Sequence, residues 1–202
     1  MARRGRLSQF GDPNRRVIND VLEIDLPCRI AVVSDSHSVL HPNTLPLLQS
    51  MSPAYILHAG DIGRLDVLNH LRDVAPVIAV RGNIDGMNPD VADDIVLDIT
   101  HQSRRVSRWL LTHIAVRGPR LIKSVLSQAK SMGIGLVVCG HSHVPLLASQ
   151  DGVTVFNPGS VGPRRFQLPI VFGEVTLTPT SISCRHISCE TGRQWVPGFT
   201  AK

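Results

Sequence analysis

The feature that most constrains the fold is a series of short apolar runs, each followed by a polar or glycine-containing turn. Residues 29–34, 54–58 and 76–80 are nearly all apolar, as strands of a buried parallel sheet are. Amphipathic stretches at about residues 43–51 and 64–72 separate these runs and predict helices. Because the order is strand, helix, strand, helix, strand, the sequence predicts an α/β fold with a parallel sheet.

The second half of the chain predicts more strands than helices. We expect strands at residues 95–100, 106–112 and 135–139, a helix at about 119–132 that ends at Gly133, and several short strands between residues 146 and 188. We therefore place one domain at residues 28–188, with a basic extension at residues 1–27 and a C-terminal tail at residues 189–202.

Charge and aromatic content narrow the range of partners. The 202 residues carry a formal net charge of +5. Part of the excess lies in the first 16 positions, which contain Arg3, Arg4, Arg6, Arg15 and Arg16. Only 4% of the residues are aromatic, which leaves little for stacking on bases, so a flexible solvated arm is favoured over a nucleic-acid-binding arm. A nucleic acid stays open as a partner, without support.

The sequence favours a cytoplasmic location without membrane attachment. No apolar run follows the basic N-terminus, as a signal peptide requires, and no run reaches the length of a membrane span. The four cysteines lie apart without a CxxC pair, which is typical of a reducing compartment. A homo-oligomer is left open.

Polar clusters follow five of the predicted strands at their carboxyl ends. They are Asp35-Ser-His37, Gly60-Asp61, Gly82-Asn83, His113 and Gly140-His-Ser-His143. Loops at the carboxyl ends of strands in an open α/β sheet converge, so we expect these clusters to lie close together. Each fragment alone is common in proteins without a site, but five of them in this order, each after a strand, are a much stronger pattern.

Histidines, carboxylates and a carboxamide in this pattern suit a pair of divalent cations. Two such ions about 3.5–4 Å apart stabilise both the attacking and the leaving oxygen of a phosphoryl transfer. Asp61, preceded by the conformationally permissive Gly60, is the natural bridging ligand, and Asp35 and His37 can address one ion. Asn83 offers a neutral carbonyl oxygen. We expect Mn²⁺, with Zn²⁺, Fe²⁺ and Ni²⁺ as alternatives that suit the same mixed ligands.

Longer motifs around these residues resemble the calcineurin-like metallophosphoesterase superfamily, whose ordered blocks are DxH, GD, GN, H and GHxH. Within it, the chain resembles the small bacterial and archaeal phosphodiesterase branch related to the retromer scaffold subunit. The motifs are His58-Ala-Gly-Asp-Ile62, Ala75-Pro-Val-Ile-Ala-Val-Arg-Gly-Asn-Ile-Asp85, Leu111-Thr-His113, Cys139-Gly-His-Ser-His143 and Asn157-Pro-Gly-Ser160. The resemblance covers about residues 29–178.

The resemblance implies an α/β sandwich of two sheets (αββα) with helices on both outer faces. It also implies one metal held by Asp35, His37, Asp61 and His143, and a second held by Asp61, Asn83, His113 and His141. The implied reaction is in-line attack on a small phosphodiester by a hydroxide that bridges the metals, with Asp61, Asn83 and His113 as catalytic residues. Asn83, His58 and Arg164 are expected to contact the substrate.

Several alternatives stay open. His58 is either a substrate contact or a packed core histidine, and Arg164 and Arg165 are either phosphate ligands or a surface pair. Most superfamily phosphatases have a histidine after the GN asparagine, but here that position is Ile84, which favours diesters and acidic leaving groups. Ile114 stands where relatives commonly have glycine. The competing functions are a catalytically weak protein-binding scaffold of the same fold and a phosphomonoesterase.

Overall fold

The computed structural model describes residues 14–86 and 91–196, together with Phe10 and Asp12. This part of the chain contains fourteen strands and three helices. The strands are β1 (Val17–Glu23), β2 (Cys28–Val33), β3 (Tyr55–His58), β4 (Val77–Ala79), β5 (Asp94–His101), β6 (Arg104–Thr112), β7 (Val116–Arg117), β8 (Arg120–Leu121), β9 (Leu136–Val138), β10 (Leu146–Gln150), β11 (Val153–Asn157), β12 (Val171–Leu177), β13 (Ile182–Ser188) and β14 (Gln194–Trp195). The helices are α1 (Thr44–Met51), α2 (Asp66–Arg72) and α3 (Lys123–Ser131). None of the described helices is long and apolar enough to cross a membrane.

Two six-stranded sheets form the frame of the molecule. The first sheet has the order β1-β5-β6-β9-β11-β10, and the second has the order β14-β13-β12-β2-β3-β4. Strands β2, β3 and β4 are parallel neighbours, as the alternation of strands and helices predicts. β7 and β8 form a separate small hairpin.

The apolar core lies between the two sheets. Successive side chains of a strand point to opposite faces, so Ile30 and Val32 of β2 enter this core while Ala31 and Val33 face the other way. The opposite sheet contributes Trp109, which is fully buried. Burying one large apolar side chain contributes about 1.5–3 kcal/mol, so this layer contributes strongly to the stability of the fold.

Helices cover both outer faces of the sheet pair. Leu48 of α1 and Leu71 of α2 pack in one cluster with Val33, on the outer face of the second sheet. Val125 of α3 packs with Val137 of β9 on the outer face of the first sheet. The αββα sandwich expected from the resemblance is confirmed.

The predicted helix at residues 119–132 begins later than expected. The hairpin of β7 and β8 occupies the preceding residues, and it turns at Gly118, which has a positive φ of 59°. Glycine adopts this conformation without steric cost, and Pro119 follows directly. The Gly118-Pro119 pair therefore forms the turn of a hairpin instead of starting a helix, and α3 begins at Lys123.

The residues ahead of β2 take part in the fold. β1 pairs in parallel with β5 over its whole length, a strand that the sequence prediction missed because only Leu22 of β1 is buried. Phe10 is buried, and the Arg15 guanidinium donates to the buried Asp94 carboxylate through Nε (2.6 Å) and Nη2 (2.7 Å). The solvated-arm interpretation is wrong for Arg15, while Arg3, Arg4 and Arg6 lie outside the described residues. The limits of the domain at residues 28 and 188 remain a prediction.

Candidate metal centre

Four of the five predicted polar clusters lie on loops that are joined in pairs by backbone hydrogen bonds. The donor and acceptor pairs are Asp35 N with Gly60 O (2.9 Å), His37 N with Asp61 O (3.0 Å) and Gly140 N with His113 O (3.0 Å). The Ser160 hydroxyl adds a fourth link, because it donates to Asp35 O (2.9 Å). These contacts join the loop after β2 to the loop after β3, and the loop after β6 to the loop after β9. The His141 N–H, which donates to Asp35 Oδ2 (3.0 Å), links the two pairs of loops.

Five predicted ligands have a left-handed backbone. They are Asp35 (φ 54°), His37 (φ 45°), Asp61 (φ 53°), His141 (φ 69°) and His143 (φ 58°). This conformation costs a residue with a side chain about 1–2 kcal/mol, so the surrounding structure must impose it. Clustering of such residues is typical of functional sites, where the side chains must be aimed at one point.

Two glycines allow these loops to approach each other. A Cβ atom at Gly60, which has a φ of 92°, would lie 2.6 Å from His113 Nδ1. At Gly82 it would lie 2.2 Å from the Asp61 carboxylate. Both distances are far below van der Waals contact, so the glycines of the GD and GN motifs are required by packing around Asp61 and His113.

One half of the centre is formed by Asp35, His37 and His143. His143 Nε2 lies 3.3 Å from Asp35 Oδ1 and 3.2 Å from His37 Nε2. The three ligand atoms all lie within 4.8 Å of one another. This spacing allows one cation to contact all three at ordinary bond lengths of about 2.0–2.2 Å.

Asp61 lies between this half of the centre and a second half that contains His113. Its Oδ2 is 3.7 Å from His37 Nε2, whereas its Oδ1 is 3.2 Å from His113 Nε2. Asp35, Asp61 and His113 also offer ligand atoms within 4.8 Å of one another. The two carboxylate oxygens of Asp61 thus face histidines of different halves.

The buried polar atoms of the centre fit a metal. Asp35 Oδ1 and His113 Nε2 are buried and have no hydrogen-bond partner among the described residues. His113 Nδ1 lies 2.7 Å from Ala59 O and must donate its proton to that carbonyl, which directs the lone pair of Nε2 into the site. Buried polar atoms are nearly always paired, so unpaired ligand atoms that face one another fit a divalent cation.

His141 and Asn83 lie at the second half. The His141 ring meets the His113 ring edge to face, with a centroid distance of 5.3 Å, and its backbone N–H donates to Asp35 Oδ2 (3.0 Å). Asn83 is exposed and lines a pocket together with His113. The loops therefore bring all seven predicted metal ligands to one region, and five of them meet at ligand-atom distance.

Comparison with known proteins assigns the chain to a family. Residues 28–179 match the family described as the calcineurin-like phosphoesterase superfamily domain. The chain belongs to that family. The superfamily resemblance drawn from the motifs is thereby confirmed, and a metal-dependent phosphoesterase site is the family's expectation for these residues.

Individual relatives agree with this assignment. A protein of Methanocaldococcus jannaschii named probable metallophosphoesterase is 27% identical over 167 residues, which cover 78% of this chain and 80% of the relative. Vacuolar protein sorting 29 of Cryptosporidium parvum has a TM-score of 0.70 at 19% identity, and covers 86% of this chain and 97% of its own. The Escherichia coli phosphoesterase Yfce has a TM-score of 0.58 at 23% identity, with coverages of 83% and 97%. The two solved structures share the fold of this chain.

His58 is a core residue of the phosphoesterase fold. It is fully buried, its Nδ1 accepts from Gly60 N–H (3.2 Å), and its Nε2 lies 3.0 Å from the Ser36 hydroxyl. Burial lowers the pKa of His58 to about 4. With both ring nitrogens occupied and no solvent exposure, His58 is not placed to contact a substrate, and the packed-histidine alternative describes it.

Arg165 is at the phosphoesterase site in place of Arg164. The Arg164 guanidinium pairs with Glu190 on the surface and donates to Leu168 O (2.8 Å). The Arg165 guanidinium instead lies 3.0 Å from His37 Nε2. Arg165, and not Arg164, is therefore the arginine that lies beside a predicted metal ligand, a distinction that two adjacent arginines in a sequence cannot reveal.

Asp85 is a structural residue of the phosphoesterase site whose role the sequence analysis did not assign. Its carboxylate accepts hydrogen bonds from three backbone N–H groups, those of Ile62 (3.0 Å), Gly63 (2.8 Å) and Gly82 (2.7 Å). These contacts join the loop after β3 to the loop after β4. No local spacing signals this role, because it depends on which loops lie beside Asp85.

The protonation states of Asp61, His37 and His141 in the phosphoesterase site suit metal binding at pH 7. Burial opposes ionisation of Asp61, but the adjacent His113 imidazole and the hydrogen bond from Ile84 N–H (3.1 Å) outweigh it and lower the pKa of Asp61. Burial and the nearby Arg165 guanidinium lower the pKa of His37, and burial lowers the pKa of His141. Asp61 is therefore ionised and the two histidines are neutral at pH 7, the forms in which all three bind metals.

Proposed function

We propose that this chain is a two-metal phosphoesterase that hydrolyses phosphodiesters in preference to monoesters. The observation that carries the proposal is the position of Asp61, whose Oδ1 faces His113 and whose Oδ2 faces His37. Asp35, His37 and His143 would hold one ion, and Asn83, His113 and His141 would hold the other, with Asp61 shared. Two divalent ions held there would polarise the phosphoryl oxygens and lower the pKa of an attacking water.

The chain's own residues bind and orient the phosphate. The Ile84 N–H fixes the Asp61 carboxylate, and Ala59 O fixes the tautomer of His113. Arg165 is close enough to His37 for its guanidinium to take a phosphoryl oxygen of a substrate at the metals. The first two contacts hold metal ligands in place, and Arg165 would position the phosphate. None of these contacts transfers a proton.

The preference for diesters rests on the absence of a general acid that could protonate the leaving group. Ile84 occupies the position at which many relatives have histidine, and its side chain is 51% exposed beside the site. His58 is enclosed and hydrogen-bonded on both ring nitrogens. Without a positioned donor, the leaving group must depart as an anion, which favours esters with acidic leaving groups. We propose small phosphodiesters as substrates and Mn²⁺ as the metal, with Zn²⁺, Fe²⁺ and Ni²⁺ as alternatives.

The variant Asp61→Asn tests the shared ligand. It keeps the size of the side chain but removes its charge, so we expect bound metal to fall below one ion per chain and kcat/KM on bis(nitrophenyl) phosphate to fall about 100-fold or more. Metal content is measured by mass spectrometry, and Asp20→Asn, on the exposed edge strand β1, is the matched control. Two ions per chain and near-normal turnover in Asp61→Asn would show that Asp61 does not bridge.

Protein binding is a second candidate function for the same surface. Large apolar side chains are exposed next to the site's loops: Val39, Leu65, Ile84, Val144 and Phe166. Phe166 directly follows Arg165 and is 93% exposed. Exposed apolar patches commonly mark interaction surfaces. A protein that loads two metals but hydrolyses neither diesters nor monoesters would favour this scaffold reading over the enzyme.

A further inference from the structure

A pocket of about 190 Å³ adjoins the second half of the metal centre. It is lined by Arg15, Arg81, Asn83, Asp93, His113 and Ile114. Asn83 and His113 belong to both the pocket and the predicted ligand set. The pocket therefore lies beside the position of a phosphate held at the metals, and one arm of such a substrate can enter it.

The far wall of the pocket comes partly from outside the family domain. Arg15 lies ahead of residues 28–179, the part of the chain that matches the family. Its Nη2 donates to Asp93 O (2.8 Å), in addition to its two hydrogen bonds to Asp94, and its side chain is only 9% exposed. The guanidinium is thus held rigidly at the pocket by contacts to β5 and to the residue before it.

Arg81 provides a cation whose terminal nitrogens are available. Its Nε pairs with Asp93 Oδ1 (2.5 Å), and no partner for its Nη1 or Nη2 is found among the described residues. The Arg81 side chain is 25% exposed. Its backbone N–H donates to Ala92 O (2.8 Å), which fixes where the side chain begins. An arginine fork with unused donors at a pocket wall suits a planar or tetrahedral oxyanion.

Each guanidinium of the pocket is paired with one carboxylate. Arg81 pairs with Asp93, whose Oδ2 already accepts from Arg16 N–H (2.7 Å). Arg15 pairs with Asp94, which is fully buried behind it. The part of the pocket that suits an anion is therefore the end of the Arg81 guanidinium, whose Nη atoms carry donors that the pair with Asp93 does not use.

We propose that this pocket binds a second anionic group of the substrate, a phosphate or a carboxylate on the arm that passes Asn83 and His113. The inference rests on the proposed function, because the arm is defined by a phosphate held at the metals. Arg81 is the specificity-determining residue, and Arg15 holds the wall in place. The preferred substrates are phosphodiesters whose second arm ends in an oxyanion.

Inorganic phosphate and the metal-free protein test the pocket without catalysis. Calorimetric titration is carried out on wild type, Arg81→Gln and the control Arg105→Gln, which removes an exposed arginine of β6. We expect Arg81→Gln to weaken phosphate binding about 10-fold or more and Arg105→Gln to leave it unchanged, since a hydrogen bond to a charged group is lost only in the former. Equal phosphate affinity in wild type and Arg81→Gln would overturn the proposal.

Kinetics with loaded enzyme test the substrate class. Three nitrophenyl diesters are compared, whose other arm ends in a neutral alkyl group, a carboxylate or a phosphate. In wild type, kcat/KM should be higher for an anionic arm than for the neutral one, and Arg81→Gln should reduce that ratio about 10-fold. The carboxylate and phosphate arms show which oxyanion the pocket takes. A ratio that Arg81→Gln leaves unchanged would overturn the proposal. If none of the esters is hydrolysed, the proposed function fails, and the phosphate titration alone decides on the pocket.

Discussion

At the scale of single residues, hydrogen bonds of the ring nitrogens separate a metal ligand from a core histidine. His113 uses Nδ1 for Ala59 O and keeps Nε2 for the site, whereas His58 uses both nitrogens within the protein. Both are buried, His58 as the last residue of β3 and His113 directly after β6, so burial and position along the chain do not distinguish them. Burial with one unpaired nitrogen is the feature that identifies the ligand.

Acid should destabilise the fold through His58. Burial lowers its pKa to about 4, compared with about 6.5 in an unfolded chain. As the pH falls, the unfolded chain takes up the proton first, so this contribution is complete above pH 6.5 and is lost down to about pH 4, roughly 3 kcal/mol in all. In metal-free protein, the urea midpoint should fall less between pH 7.5 and 4.5 in His58→Gln than in wild type. Parallel losses in both proteins would assign the effect to other groups.

Ile84→His should supply the missing acid. The Ile84 N–H contacts Asp61, and its side chain is exposed, so an imidazole there can reach a leaving group. A positioned acid contributes about 10²–10⁴-fold, most for basic leaving groups. We therefore expect kcat/KM to rise at least about 10-fold on alkyl esters and monoesters but little on nitrophenyl diesters. Ile84→Asn, which is polar but cannot deliver a proton at neutral pH, is the control. Equal wild-type turnover of alkyl monoesters and aryl diesters would contradict the premise.

At the scale of elements, the site depends on the loops that follow the strands being fixed to one another. Asp85 accepts from N–H groups in the loops after β3 and β4. Asp85→Asn leaves one acceptor oxygen, so at least one contact is lost, and metal affinity should weaken about 10–100-fold. Competition with a chelator measures the affinity, and Asp73→Asn, at the far end of α2, is the control. A lower melting temperature with unchanged metal affinity would limit Asp85 to stabilising the fold.

The sequence predicted elements well where the local pattern and the tertiary environment agree. β2 and β3 are mostly buried and β4 is half-buried, so they are recognisable as apolar runs, and the polar clusters at their carboxyl ends lie close together as predicted. β1 escaped prediction because an edge strand with one buried side chain has no such pattern. The roles of Arg165 and Asp85 could not be derived either, since both depend on which loop lies opposite, and no local spacing contains that information.

At the scale of the whole molecule, the residues ahead of the family domain should stabilise the complete sandwich. Deleting residues 2–23 removes the pairing of β1 with β5 and the buried Phe10, and it leaves the Asp94 carboxylate without its guanidinium. Loss of one partner of a buried ion pair costs about 3–5 kcal/mol, so the deletion should lower the free energy of unfolding by at least that amount. Urea denaturation of full-length and shortened chains measures it.

Point variants separate the ion pair from the rest of that segment. In the full-length chain, Arg15→Gln alone should cost about 3 kcal/mol, because the charge of Asp94 remains buried without compensation. The double variant Arg15→Gln/Asp94→Asn should be more stable than Arg15→Gln, since it buries no unpaired charge, whereas the exposed control Arg105→Gln should change stability by less than about 0.5 kcal/mol. If the shortened chain and Arg15→Gln both unfold at the wild-type urea concentration, the segment is an appendage to an independent domain that begins near residue 28.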